Sequence, residues 1–138
     1  MRNDSLTRDY IGRAGKRLLA VEVLHREESW ADVVRECQEI VELCLKALLR
    51  ATGMDVPRVH DVSALLQTQE SGIGEPARSA LGKLVAASRT LRRDRELAFY
   101  GSEDLTPSEF YTRQDAENAL DMASFTHKTV KETVEAEA

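Results

Sequence analysis

The sequence predicts an all-α protein, an antiparallel up-and-down bundle of four or five helices forming a single domain over residues 1–138. Three observations carry this. Apolar residues recur at spacings of three and four along extended segments, the signature of one buried helix face. Only three prolines and seven glycines interrupt the chain. The connections are short and polar, and no segment shows the period-two alternation of a strand. Amphipathic helices joined this way fold back on one another around a shared core.

The first helix is expected over 5–25, where Ile11, Ala14, Leu18 and Val21 share a face. The second begins at Ser29, where "SWAD" sets Asp32 three residues on, a capping-box spacing with the shorter acid. Its apolar stripe is wide: Trp30, Val33, Val34, Cys37, Ile40, Val41, Cys44, Leu45 and Leu48, ending at the helix stop Gly53. "MDVPRVHD" is a loop, since Pro57 disfavours helix at Val56. A short helix follows in "DVSALLQTQ", then a break at "ESGIG". Pro76 suits the first turn of a fourth helix that runs to Gly101 with Ala77, Leu81, Leu84, Ser88 and Leu91 inward. "SEDLTPSEF" reads as a polar loop. Thr112 and Asp115 open the last helix with a second capping-box spacing, and residues 131–138 are expected to fray.

The composition, 42% hydrophobic and 31% charged with a net charge of −5, describes a globular protein rather than a general nucleic-acid binder. The charge is uneven, however. Residues 76–101 hold Arg78, Lys83, Arg89, Arg92, Arg93 and Arg95 against only Asp94 and Glu96. Residues 102–138 reverse that balance, with nine acids and three bases. A local anionic ligand is therefore compatible with an acidic protein. The first ten residues lack the apolar core of a signal peptide and no apolar run is long enough to span a bilayer, so a cytoplasmic protein without membrane association is expected. Cys37 and Cys44, seven apart on one helix, are too distant to pair and fall on the apolar stripe.

Candidate chemistry is sparse. His25, His60 and His127 are isolated, no metal-ligand spacing or glycine-rich phosphate loop occurs, and neither a metal nor a cofactor is expected. Glu36 and Glu39 lack the accompanying ExxH element of a di-metal bundle site. His60 stands beside Asp61, which either orients the ring for proton transfer or simply caps the short helix. The arginine knot of "LRRDRELAFYG" is the strongest candidate. Arg92 and Glu96 are four apart and self-pair on a helix, but Arg95 lies among groups that favour burial and needs an anionic partner, either Glu96, an acid such as Glu39, or a ligand phosphate.

Three stretches, in order, resemble the small stand-alone prokaryotic HEPN domain family: "ADVVRECQEIVELCLKALLRATGMDVPRVHDVSALL", "RRDRELAFYG" and "FYTRQDAENALDMASF". The resemblance covers nearly the whole chain. It implies a helical bundle, commonly a homodimer, associated with nucleotide or RNA binding and often with a separate small nucleotidyltransferase as partner. Many members of the family are metal-independent ribonucleases, some of them toxins, that use an Arg followed after four to six residues by a His. Arginine would steady the charged phosphorus centre and histidine would move protons at the ribose 2′-hydroxyl. Here four residues separate Arg95 from Tyr100, which stands where the pattern asks for histidine, and no histidine falls in the window from Arg92 or Arg93.

The resemblance and the basic island together imply a non-catalytic protein that binds nucleotide or RNA phosphate through Arg95 with Arg92 or Arg93. Arg35, Glu39, His60, Tyr100 and Tyr111 are further candidates. One alternative is an active ribonuclease with Tyr100, His60 or His127 replacing the missing histidine. Another is a purely structural partner subunit of a nucleotidyltransferase.

Overall fold

The computed structural model describes residues 4–58, 62–101, 103 and 105–137, the side chains of 94–99 excepted. Among the described residues six helices follow in order: α1 Ser5–Arg26, α2 Trp30–Ala51, α3 Val62–Thr68, α4 Leu81–Tyr100, α5 Pro107–Phe110 and α6 Arg113–Ala136, with a 3-10 turn at Glu70–Gly72 after α3. The structure is an all-α bundle, 78% helical, with no strand among the described residues.

Helix α2 is the axle. It packs against α1, α4 and α6 and also touches α3 and α5. Its broad apolar stripe explains this: Val33, Cys37, Ile40, Cys44, Leu45, Leu48 and Leu49 are all fully buried. Full burial of each large aliphatic side chain is worth about 1.5–3 kcal/mol. The stripe is wide enough to serve three neighbours at once, whereas the outer helices bury narrower faces such as Ile11, Ala14 and Val21 of α1. Between α1 and α6, Gly15 makes room for the His127 ring, whose Nε2 lies 3.1 Å from the Ile11 carbonyl oxygen. A Cβ at Gly15 would sit 3.2 Å from that nitrogen.

Helix ends follow local chemistry, with four departures from expectation. Thr112 and Asp115 form a true capping box. Ser29 does not: its hydroxyl donates to Asp32 Oδ2 at 2.6 Å and leaves the backbone amides of α2 without a side-chain cap. Helix α4 begins only at Leu81, not at Pro76. Residues 75–80 form turns, in which the Arg78 amide donates to the Gly74 carbonyl at 2.9 Å and the Ala80 amide to the Pro76 carbonyl at 3.2 Å, while the Ala77 amide donates to Thr133 Oγ1 on α6 at 2.9 Å. Helix α6 continues to Ala136, past the point where fraying was expected, because Thr133 and Val134 are buried. The loop expected before α6 contains α5, a four-residue helix started by Thr106, whose side chain accepts the Glu109 amide.

The turn between α1 and α2 is tight, and Glu28 adopts a left-handed conformation with φ 59°. Arg113 Nη2 donates to the Glu28 carboxylate at 3.0 Å while the guanidinium carbon lies 4.7 Å from the Trp30 ring centre. His25 meets the same ring edge-on at 5.2 Å. The start of α6 is thereby clasped to the α1–α2 turn. Arg17 donates to Glu36 at 2.6 Å further along the same pair of helices.

Candidate phosphate-binding cleft

Four elements enclose a cleft of about 360 Å³ at the C-terminal half of α4. Val34 of α2 lies at its wall, Thr90, Leu91 and Arg93 come from α4, Phe110 from α5, and Asp115, Asn118, Ala119 and Met122 from α6. Tyr111, in the link between α5 and α6, completes it. The cleft is thus half apolar wall and half polar rim, the usual make-up of a small-molecule site.

Its shape depends on the sharp reversal after α4. Gly101 has φ +79°, and a Cβ there would lie 2.8 Å from the Leu105 carbonyl oxygen and 2.7 Å from Pro107 Cδ. Only glycine lets the chain turn so closely and bring α5 back over the end of α4. Phe110 and Tyr111 then stack edge to face with ring centres 4.9 Å apart. Tyr111 is buried, whereas Phe110 keeps 44% of its surface exposed. An exposed aromatic beside an arginine is a surface on which a nucleobase stacks.

The polar rim has divided duties. Asp115 Oδ2 accepts the Thr112 amide at 2.9 Å and its hydroxyl at 3.0 Å, so this carboxylate is held by the helix cap. Asn118 Oδ1 accepts from Gln114 Nε2 at 2.9 Å, which leaves the Asn118 amide group to donate into the cleft. Arg93 is exposed at the mouth, and Arg92 beside it is half-buried.

The structure gathers some of the sequence candidates and separates others. Arg93 and Tyr111 share the cleft. Tyr100, the last residue of α4, is 76% exposed and is not among the lining residues. Arg35 and Glu39 are half-buried on α2, and it is Val34, not Arg35, that reaches the cleft. His60 and the Arg95 side chain lie outside the described residues. Sequence reading missed Phe110 and Asn118. The signal for Asn118 was its spacing of three from Asp115, which places both on one side of α6.

Neither described histidine lines the cleft: His25 packs on Trp30 near Glu117, and His127 sits against α1. Glu36 is engaged by Arg17, and no cluster of three metal-ligating side chains occurs among the described residues. Cys37 and Cys44 are free and buried, and burial pushes both thiols up to about 12. No helix among the described residues is long and apolar enough to cross a membrane.

Other concavities flank the same bundle. A shallow one of about 120 Å³ continues the α4–α6 groove, with the Lys83 ammonium 4.1 Å above the Phe125 ring. Another, of about 190 Å³, is lined by Tyr10, Lys46, Arg50 and Arg58. There Arg50 forms a two-pronged pair with Asp4 at 2.9 and 3.2 Å, and Lys46 pairs with Glu42 at 2.8 Å.

Compared with known proteins, residues 7–133 match the family model described as HEPN domain. No curated protein and no solved structure gives a match to the chain.

Proposed function

Since the chain belongs to the HEPN domain family, which carries a nucleotide- or RNA-related role at the level of the family, we propose that it binds nucleotide or RNA phosphate without cleaving it. One observation carries this reading: Arg93 opens onto a cleft whose wall is an exposed aromatic, Phe110, at the basic end of a helix in an otherwise acidic protein. Arginine offers a planar, permanently charged fork to phosphate oxygens. Phe110 offers a stacking face, and Asn118 a donor for a base or sugar oxygen. Arg92 and Arg95 add to the positive field at the same end of α4.

Cutting RNA asks for a proton carrier beside the arginine. A tyrosine, with an ordinary pKa near 10, is a poor carrier at neutral pH. His25 and His127 are held by other contacts away from the cleft lining. The binding reading also includes two further parts: a symmetric homodimer, and association with a small nucleotidyltransferase.

The test is fluorescence anisotropy with labelled single-stranded RNA and with a mononucleotide, wild type beside Arg93→Ala and Arg95→Ala. Both substitutions are expected to weaken binding. Unchanged affinity for both ligands would remove the assignment. Metal-free RNA cleavage giving cyclic phosphate ends, lost in Arg95→Ala, would instead establish a ribonuclease that has replaced its histidine. Light scattering that reports a monomer at all micromolar concentrations would sink the homodimer.

A further inference from the structure

The basic island does not face a single cleft. Arg78 and Arg89 line a separate, open cleft of about 530 Å³, together with Gln67 of α3, Glu70 of the 3-10 turn, Ser79 and Gly82. Arg89 makes only long, uncharged contacts there: its Nε is 3.3 Å from Ser63 Oγ and its Nη2 is 3.4 Å from Gln67 Oε1. Arg78 is exposed and, among the described residues, makes no ion pair. Glu70 is the one carboxylate on the lining, against two guanidiniums. The neighbouring Glu75 is occupied by the Ser79 amide and hydroxyl. The chain has 24 acids to 19 Lys and Arg, so a carboxylate partner for either arginine was not scarce. The cleft keeps a net positive charge that suits an anion from solution.

Helix geometry connects this cleft to the first. Arg89 and Arg93 are four apart on α4, close to one face and about 6 Å along the axis. Arg78, Arg89 and Arg93 therefore form a run of cations leading across α4 from one cleft to the other.

We infer that the Arg78–Arg89 cleft is a second phosphate site, which holds the backbone of a single-stranded RNA whose other nucleotides occupy the Arg93 cleft. The inference rests on the binding reading above and narrows it. A mononucleotide fills one cleft, whereas two phosphate sites on a run of arginines select a chain. Ser79 and Gly82 line the cleft, and nothing lies within 4 Å of where a Cβ on Gly82 would stand, so the wall is open there.

The test is an NMR titration of the isotope-labelled full chain with octauridylate and with uridine 5′-monophosphate. Octauridylate is expected to shift the Gly82 amide and the Arg89 Nε–H as well as Asn118, and the monophosphate to shift Asn118 alone. Alongside, the double variant Arg78→Gln/Arg89→Gln is expected to bind octauridylate roughly tenfold more weakly, in line with two exposed ion pairs. Its slope of log affinity against log salt should fall by about 1.4, or about 0.7 for each phosphate contact on a single strand. Its affinity for the monophosphate should stay unchanged, whereas Arg93→Ala should weaken both ligands. If octauridylate shifts Asn118 and leaves Gly82 and Arg89 still, the second site does not exist and the first reading stands. Shifts at neither cleft would overturn both. Should the double variant misfold, the wild-type shift map alone decides.

Discussion

Thr133 Oγ1 on the last helix accepts the amide hydrogen of Ala77 at 2.9 Å across 56 residues of sequence, while its own hydroxyl donates to the Thr129 carbonyl at 2.7 Å. This buried hydroxyl sets where the chain enters α4, and so helps to position the arginines that α4 carries. Thr133→Val removes the acceptor but keeps the volume, and leaves a buried amide unsatisfied. It is expected to cost about 1–3 kcal/mol, read as a lower urea midpoint with an unchanged slope.

Gly101→Ala is expected to damage both stability and ligand binding. Its φ of +79° and the near contacts with Leu105 and Pro107 leave no room for a Cβ. The loss should exceed about 1 kcal/mol. Because the turn carries α5, the variant should also bind RNA more weakly than its loss of stability explains. Native-like affinity in the folded fraction would show that α5 does not shape the cleft.

Phe110→Ala is expected to leave the fold nearly untouched, because the ring is already 44% exposed. Loss of a stacking face typically costs about 1–3 kcal/mol per base on single strands. Binding of octauridylate should weaken accordingly, with little change in salt dependence, since no phosphate contact is lost. A changed salt slope with unchanged affinity at low salt would contradict the stacking role.

Cys37 and Cys44 should be inert toward a thiol reagent at neutral pH in the native state and react fully once the protein is unfolded. Burial pushes both thiols up to about 12 from 9.0. A raised pKa means that the folded state prefers the protonated thiol. The resulting stability is complete below the unfolded value of 9.0 and is lost as pH rises from there toward about 12. Melting temperatures measured up an alkaline series should fall across that window, and Cys37→Ala/Cys44→Ala should flatten the fall.

The Asp4–Arg50 pair sets the opposite limit. Hydrogen bonds from the Arg50 guanidinium, and then from the Thr7 amide, hold the Asp4 carboxyl well below the usual carboxylate range. Its contribution is present above the ordinary value of 3.8 and is lost as pH falls. Asp4→Asn should lower the melting temperature at neutral pH, and the gap from wild type should close in strong acid.

The sequence makes helices legible wherever one face alone decides them. The stripe from Val33 to Leu48 announces α2, and Thr112 with Asp115 announces the start of α6. Features made by distant partners stay hidden. Pro76 is well suited to open a helix locally, yet residues 75–80 form turns, and the tie from the Ala77 amide to Thr133 on α6 is one that no local pattern reveals. Helix α5 rests on one cap, Thr106, too short to show a period. In the cleft, Val34 and Arg35 are neighbours in sequence but point about 100° apart on α2, so the apolar one enters and the charged one does not. Arg93 and Tyr111 were recognisable by type. Their meeting was not, because it depends on the glycine-driven reversal between them.

The chain's one tryptophan, Trp30, is wedged between the His25 ring and the Arg113 guanidinium, where the end of α1 and the starts of α2 and α6 converge. Its emission is therefore a built-in gauge of whether those three helix ends are docked. Asp115 and Asn118, on the cleft rim, begin just beyond Arg113 on the same helix. Ligand entry that shifts the head of α6 would be visible as a change in native fluorescence, with no dye attached and no residue replaced.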